Sequence, residues 1–353
     1  MISARRRYLD WLRGVAVVIM IEAHTLDAWT RPADRRSDAF GWAVIIGGFG
    51  APLFLFLAGV AVALSASSKV ARGATPAEAS AAVQKRGWQI FGLAFLFRLQ
   101  AVLLGGGRWR SLLRVDVLNI MGPSIAAAAY LWRVGAAYRL PVFALLTAGI
   151  AMITPIIRGT SILDPLPAPV EAYFRPQPDL TTFTCFPWAA FVFAGVTTGL
   201  LLERASDRAA ERRLMARLFA GGAGIALAGY AASFLPPIYE NSSFWTSSPT
   251  FFFLRTGLLT MMVAGAYWWE QGPAGRIWSP LAQLGRTSLF IYWIHIELVY
   301  GVLARSIRRE LPLGRAVAGF LLFTVAMLIV SIVKTRIAGW WRALRAPMKK
   351  EAV

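Results

Sequence analysis

Hydrophobic residues along this chain neither alternate nor recur on a single helical face. They fill long runs that are apolar on all sides. Runs near the ~20 residues that cross a bilayer as a helix recur ten times, at about residues 11–29, 40–65, 86–104, 115–132, 140–157, 183–202, 218–235, 250–269, 280–303 and 314–333. The fourth is the least apolar at its start, with Asp116 and Asn119 in its first turn. A Pro-rich loop with Pro165, Pro167, Pro169, Pro176 and Pro178 follows the fifth, and Pro236-Pro237 ends the seventh. The densely charged stretch 203–217 reads as a helical inner loop. In hydrocarbon every backbone N–H and C=O must be satisfied within the segment, so such runs predict helices. No repeat of 20–50 residues is visible. The pattern predicts an all-α fold, a polytopic transmembrane helical bundle of about ten helices forming one membrane-embedded domain over residues 1–353. A basic amphipathic tail is expected from about 334 to 353.

Composition agrees with a membrane class. The chain is 57% hydrophobic and 16% charged, with a mean hydropathy of +0.55; soluble domains carry about a quarter charged residues. The formal charge of +19 does not point to nucleic acid, because the basic residues flank apolar runs instead of gathering on one face or tail. With the N-terminus inside, 23 of the 37 Lys and Arg fall on inner segments. That bias predicts both termini in the cytoplasm of a cell (inner) membrane protein. The tail mixes basic residues with Trp340 and Trp341 and reads as a segment lying on an anionic lipid face. Arg5-Arg6-Arg7 before the first run resembles a signal-peptide start. No small-residue cleavage site follows, and Glu22, His24 and Asp27 lie in the same helical register, so this segment reads as a retained helix. The single cysteine, Cys185, excludes an intrachain disulfide and a CxxC metal site. No metal is expected.

Ionisable residues inside membrane segments are costly and mark functional positions. The chain has two histidines, His24 in the first segment and His295 in the ninth. Both segments run outward, which places the two at similar depth beyond the midplane. Asp27 lies three residues after His24, on the same helical face, though it also reads as the start of the outer loop; Glu22 and Glu297 point elsewhere. Asp116, Asn119, Arg98 and Arg255 occupy outer-half positions too, the two arginines also reading as residues that snorkel to headgroups. Together they predict a hydrated outer pocket of imidazole, carboxylate, amide and guanidinium. Asp10 and Arg13, at i and i+3, predict an ion pair at the inner interface. Gly47-Gly48 and Gly221-Gly222-Ala223-Gly224 predict close helix packing. Gly105-Gly106-Gly107 lacks the Lys-Ser/Thr of a phosphate-binding loop.

Five stretches in order resemble a known family. They are Leu9-Asp10-Trp11-Leu12-Arg13-Gly14 with Met20 and His24; Ala51-Pro52-Leu53-Phe54-Leu55-Phe56-Leu57-Ala58-Gly59; Asp116-Val117-Leu118-Asn119-Ile120-Met121-Gly122; Phe186-Pro187-Trp188; and Leu284-Gly285-Arg286-Thr287-Ser288-Leu289-Phe290-Ile291-Tyr292-Trp293-Ile294-His295. The chain resembles the heparan-α-glucosaminide N-acetyltransferase catalytic domain family of transmembrane acyltransferases. That resemblance implies acyl transfer from cytoplasmic acetyl-CoA or another acyl-CoA to an amine or hydroxyl of a cell-envelope sugar or glycan on the far side, with a histidine in the chemistry. In the family the active histidine follows the first helix, with an asparagine near the position of His24. Here no histidine lies between Thr25 and Ile294, so the role falls to His24, to His295, or is absent.

Imidazole suits the reaction either as base or as acyl carrier near neutral pH. Asp27 or Asp116 could fix its tautomer. Arg98, Arg255 or Asn119 could stabilise an oxyanion. Phosphates of the CoA nucleotide need cations at the inner mouth, where Lys85, Arg86, Arg133, Arg139 and Arg286 lie. His24 is the expected base or carrier because it sits in the stronger motif beside Asp27, and His295 the secondary polar group. Expected partners are membrane lipids, acyl-CoA and the glycan acceptor, with a homodimer left open. A transporter or flippase for an anionic or lipid-linked solute is the alternative, since Pro52, Pro123 and Pro187 would interrupt helices, but no two related halves are visible. A non-catalytic membrane protein is the third reading. The charge bias yields a test: a cytoplasmic reporter fused to the C-terminus is active, and a periplasmic one is silent.

Overall fold

In a computed structural model, residues 6–105 and 109–345 are described. They are helical, with no strand among them and two isolated bridges. Gly106 and Gly107 of the glycine run, and the tail from 346 on, lie outside the described residues. The helices are α1 (Arg7–Trp29), α2 (Asp38–Gly47), α3 (Gly50–Val70), α4 (Pro76–Gly105), α5 (Val117–Leu131), α6 (Ala136–Gly159), a single turn α7 (Ala168–Glu171), α8 (Cys185–Glu203), α9 (Arg208–Ala232), α10 (Pro249–Gln271), α11 (Pro280–Arg286), α12 (Ser288–Tyr300) and α13 (Leu313–Arg345). Six are long and apolar enough to cross a membrane among the described residues, counting α2 and α3 as one span, and the protein is an integral membrane protein.

Local chemistry explains the ends. Asp207 caps α9 by accepting from Ala210 N–H at 2.8 Å, so the densely charged segment is helical from Arg208. Asp116 and Asn119 form a capping box at the start of α5. Pro52 and Pro187 fall in the first turns of α3 and α8. These prolines open helices where an N–H has no partner anyway, so of the three expected interruptions only Pro123 lies inside a helix.

Two expected segments are broken. The second divides at Gly48-Phe49 into α2 and α3. The ninth divides at Thr287, whose hydroxyl lies 2.6 Å from that of Ser331 on α13. One turn earlier Gln283 donates to Ser331 Oγ at 3.0 Å and to Thr335 Oγ1 at 2.7 Å. Polar side chains that find partners across helices in this way act as glue in a bilayer. The tenth segment continues unbroken through the tail to Arg345, so the described part of the tail extends α13.

The chain forms two compact units. The larger, Ala51–Trp268, holds the helices from α3 to nearly the end of α10. Its helices approach closely at glycines. A Cβ at Gly59 would collide with the Val192 carbonyl of α8, and one at Gly195 with the Phe56 carbonyl of α3. Gly87 and Gly122 face each other where α4 crosses α5, and Gly222 and Gly257 where α9 crosses α10. Lipid tails give no hydrophobic drive for helix association, so close backbone packing carries it. The second unit comprises Arg6–Gly50 and the residues from Trp269 on. In it α1 packs against α2, α11, α12 and α13. Gly14 of α1 abuts the Leu281 backbone, and Gly285 of α11 abuts Asp10 and Gly14. Gly47 of α2 lies against Ala23 of α1. Asp10, buried, pairs with Arg13 at 3.2 Å. A Gly14→Val substitution must push α1 off α11; overpacking of this kind costs about 1–3 kcal/mol, read as a lowered midpoint of thermal unfolding in detergent, whereas Gly314→Ala, which meets nothing within 4 Å, leaves the midpoint near wild type.

Candidate functional site

The second unit brings the two histidines together. His24 Nδ1 lies 2.8 Å from His295 Nε2. The ring centres are 5.0 Å apart with the planes 16° off parallel. That separation is close to the nitrogen–nitrogen distance plus one ring radius on each side. The two nitrogens therefore lie nearly on the line between the ring centres, and the contact is an in-plane hydrogen bond instead of a face-to-face stack. His295 is fully buried and His24 half-buried. The second nitrogen of His295, Nδ1, lies 2.9 Å from the Ile291 carbonyl one turn back.

The register follows from the glycine crossing. His24 stands ten residues after Gly14, and His295 ten residues after Gly285. At 1.5 Å per residue His24 lies about 15 Å beyond the crossing along α1, and His295 is reached on α12, past the break at Thr287.

Asp27 does not hold the His24 ring through a hydrogen bond given by the structure; its carboxylate is engaged elsewhere. It accepts from Arg35 Nη2 at 2.5 Å and from the Tyr300 hydroxyl at 3.3 Å. The Tyr300 ring stands edge-on to His24, with centres 5.8 Å apart. Arg35 and Tyr300 are thus neighbours of the pair that spacing alone could not single out, because both lie in or beside loops. Glu22 faces α2, where its Oε2 approaches Gly47. In the loop after α1, Asp34 accepts from the Leu313 N–H that begins α13 and from Arg31. The backbone bond first, then the arginine, holds its carboxyl below the ordinary value. A lowered pKa means that this cap is present at neutral pH and is lost as pH falls through that lowered value.

The remaining expected residues belong to the larger unit, apart from Arg286. Arg98 Nη2 pairs with Asp116 Oδ2 at 2.8 Å. Asn119 accepts from the Asp116 N–H at 2.9 Å and donates to the Tyr173 hydroxyl at 3.4 Å. Desolvation raises the Tyr173 phenol above its ordinary pKa, which keeps it a hydroxyl. Arg255 lies over the Phe251 ring at 4.0 Å. Arg158, which sequence reasoning passed over, donates to Thr184 Oγ1 and the Phe186 carbonyl, each at 3.0 Å. Of the expected phosphate-binding cations, Arg86 is exposed on α4, and Arg133, at the end of α5, stacks on Tyr130. Arg139 donates to the Trp132 and Val134 carbonyls at 2.8 and 3.1 Å and covers the Trp132 ring at 3.6 Å. It closes the end of α5. Arg286 is exposed at the end of α11 in the second unit. Among the described residues no group of three or more His, Cys, Asp or Glu could hold a metal ion.

Residues 5–231 match the family model of the heparan-alpha-glucosaminide N-acetyltransferase catalytic domain. The match holds His24 and the Asp116–Asn119 group and ends before the second histidine. No curated protein matches the chain.

Proposed function

The chain belongs to the heparan-alpha-glucosaminide N-acetyltransferase catalytic domain family, and from that membership and the buried contact between His24 and His295 we propose that it moves an acetyl group from acetyl-CoA, or another acyl-CoA, to an amine or hydroxyl of a cell-envelope glycan. The family is one of acetyltransferases in membranes. The observation that carries the role of this chain's residues is the meeting of its only two histidines. Acyl transfer from a thioester needs a group that takes a proton from the acceptor, and imidazole is suited to it near neutral pH. His24 is that base. It is the half-buried member of the pair and has the polar outer neighbours Tyr300 and Asp27. The acceptor's nitrogen or oxygen bonds to the thioester carbonyl carbon, the carbon–sulfur bond breaks, and the CoA thiolate takes up the proton that His24 received. In this reading the acyl-CoA is taken up at the cytoplasmic face, the side to which the charge bias assigns both termini.

Two further assignments belong to this reading. Arg98, Asp116 and Asn119, joined to Tyr173, together with Arg255, offer donors and acceptors suited to sugar hydroxyls. The phosphates of the donor are assigned to Arg86 and Arg133, with Arg139 and Arg286 as further cations. Arg139 also has its structural role at the end of α5, so Arg86 and Arg133 are the cleaner test. An Arg86→Ala/Arg133→Ala double variant binds acetyl-CoA more weakly than wild type, with the larger deficit at low salt; equal affinity at all ionic strengths removes the assignment. In the transfer assay with radiolabelled acetyl-CoA, His24→Ala lowers turnover by about 10²–10⁴ while the protein stays folded, and His295→Ala retains measurable activity. The opposite ranking hands the base role to His295.

A further inference from the structure

Counting hydrogens fixes which nitrogen of the pair is basic. The Ile291 carbonyl can only accept, so the 2.9 Å contact with His295 Nδ1 requires the hydrogen to sit on Nδ1. His295 is fully buried, and no carboxylate lies within ion-pair distance of it among the described residues. An unpaired imidazolium in such a place costs several kcal/mol, so the ring is neutral and its Nε2 holds a lone pair. The 2.8 Å contact between that Nε2 and His24 Nδ1 needs one hydrogen. It must therefore come from His24. The near-coplanar rings, 16° apart, aim the N–H along the lone pair.

We propose that His295 is a positioning residue: by accepting the hydrogen of His24 Nδ1 it locks His24 in the Nδ1–H tautomer and leaves Nε2 of His24 as the nitrogen that takes the acceptor's proton. Its catalytic consequence rests on the acetyl-transfer reading; the tautomer itself does not. The pair then forms a directed chain, from His24 Nδ1–H to His295 Nε2 and from His295 Nδ1–H to the Ile291 carbonyl. When His24 Nε2 receives a proton, the positive charge strengthens the first bond of that chain without a proton having to leave it. The backbone carbonyl at its end does here what a carboxylate does in other base–orienter pairs, without bringing a second charge into the membrane. Asp27, three residues after His24 on the same helix, is left to Arg35 and Tyr300.

The chain contains two histidines, so ring-¹⁵N labelling of histidine in the full-length protein reports this pair and nothing else. At about pH 8.5, above the ordinary imidazole range, both rings read as Nδ1–H, which is the less common form of free histidine. In His295→Phe the acceptor is gone and His24 reverts to Nε2–H. In His295→Gln the amide oxygen accepts in its place and His24 stays Nδ1–H. An Nε2–H form of His24 in the wild-type protein, or an unchanged Nδ1–H form in a folded His295→Phe variant, overturns the proposal; should His295→Phe not fold, the wild-type spectrum decides alone. In the transfer assay kcat falls at least about tenfold in His295→Phe and recovers in His295→Gln, with the donor KM little changed. Absence of any turnover by the wild-type protein sinks the acetyl-transfer reading while the tautomers remain readable, so the two failures are separate.

Discussion

The contact on which the second unit depends is a crossing of bare backbones. Gly14 on α1 and Gly285 on α11 lie where any side chain would strike the opposite helix. That closeness fixes both the distance between the helices and their relative slide. From it the chain counts ten residues to a histidine on each side, along α1 to His24 and through the break at Thr287 into α12 to His295. In-plane hydrogen bonding tolerates errors of a few tenths of an ångström, far less than the 1.5 Å rise of one residue. A slip of one position would part the rings and turn one of them by about 100°.

Within the hydrocarbon layer the hydrophobic effect does not choose one helix pairing over another, so contact must come from shape and from hydrogen bonds. Both devices are present. Glycine crossings hold α3 to α8, α4 to α5 and α9 to α10 in the larger unit. Hydroxyls and an amide do so in the smaller one, where Gln283 and Thr287 meet Ser331 and Thr335. The same exchange meets the end of α11: the Thr287 hydroxyl bonds back to the Gln283 and Leu284 carbonyls and lies 2.6 Å from the Ser331 hydroxyl of α13.

How much of this the sequence announces depends on what each feature needs to know. Long apolar runs follow from the bilayer alone, and helices cover the runs, though α4 and α9 begin ten residues earlier and α13 ends twelve residues later. The bond between Thr287 and Ser331 joins residues 44 apart and so cannot be read from local pattern. Prolines at 52 and 187 look like interruptions in a hydropathy trace but sit where a helix starts. For the site, the shared depth of His24 and His295 is legible, because both segments run the same way. Their hydrogen bond is not, since it depends on how the two helices are turned about their axes. Helical spacing put Asp27 beside His24, but the arginine that claims it is eight residues on, across a loop. Asp116 and Asn119 were visible as polar residues in an apolar run; that they spend much of their capacity capping α5 and pairing with Arg98 appears only in three dimensions.

The length of α13 has a consequence for the lipid around it. Its 33 residues extend about 50 Å, against a hydrocarbon layer of about 30 Å. Gln283 fastens it to α11 near Ser331 and Thr335, which leaves the stretch carrying Trp340 and Trp341 beyond the fastening. A thicker or thinner bilayer is met by tilting the helix or by wetting more or less of that overhang. The fastening lies before that overhang, so the register of α11 against α13 does not depend on how much of the overhang is wetted.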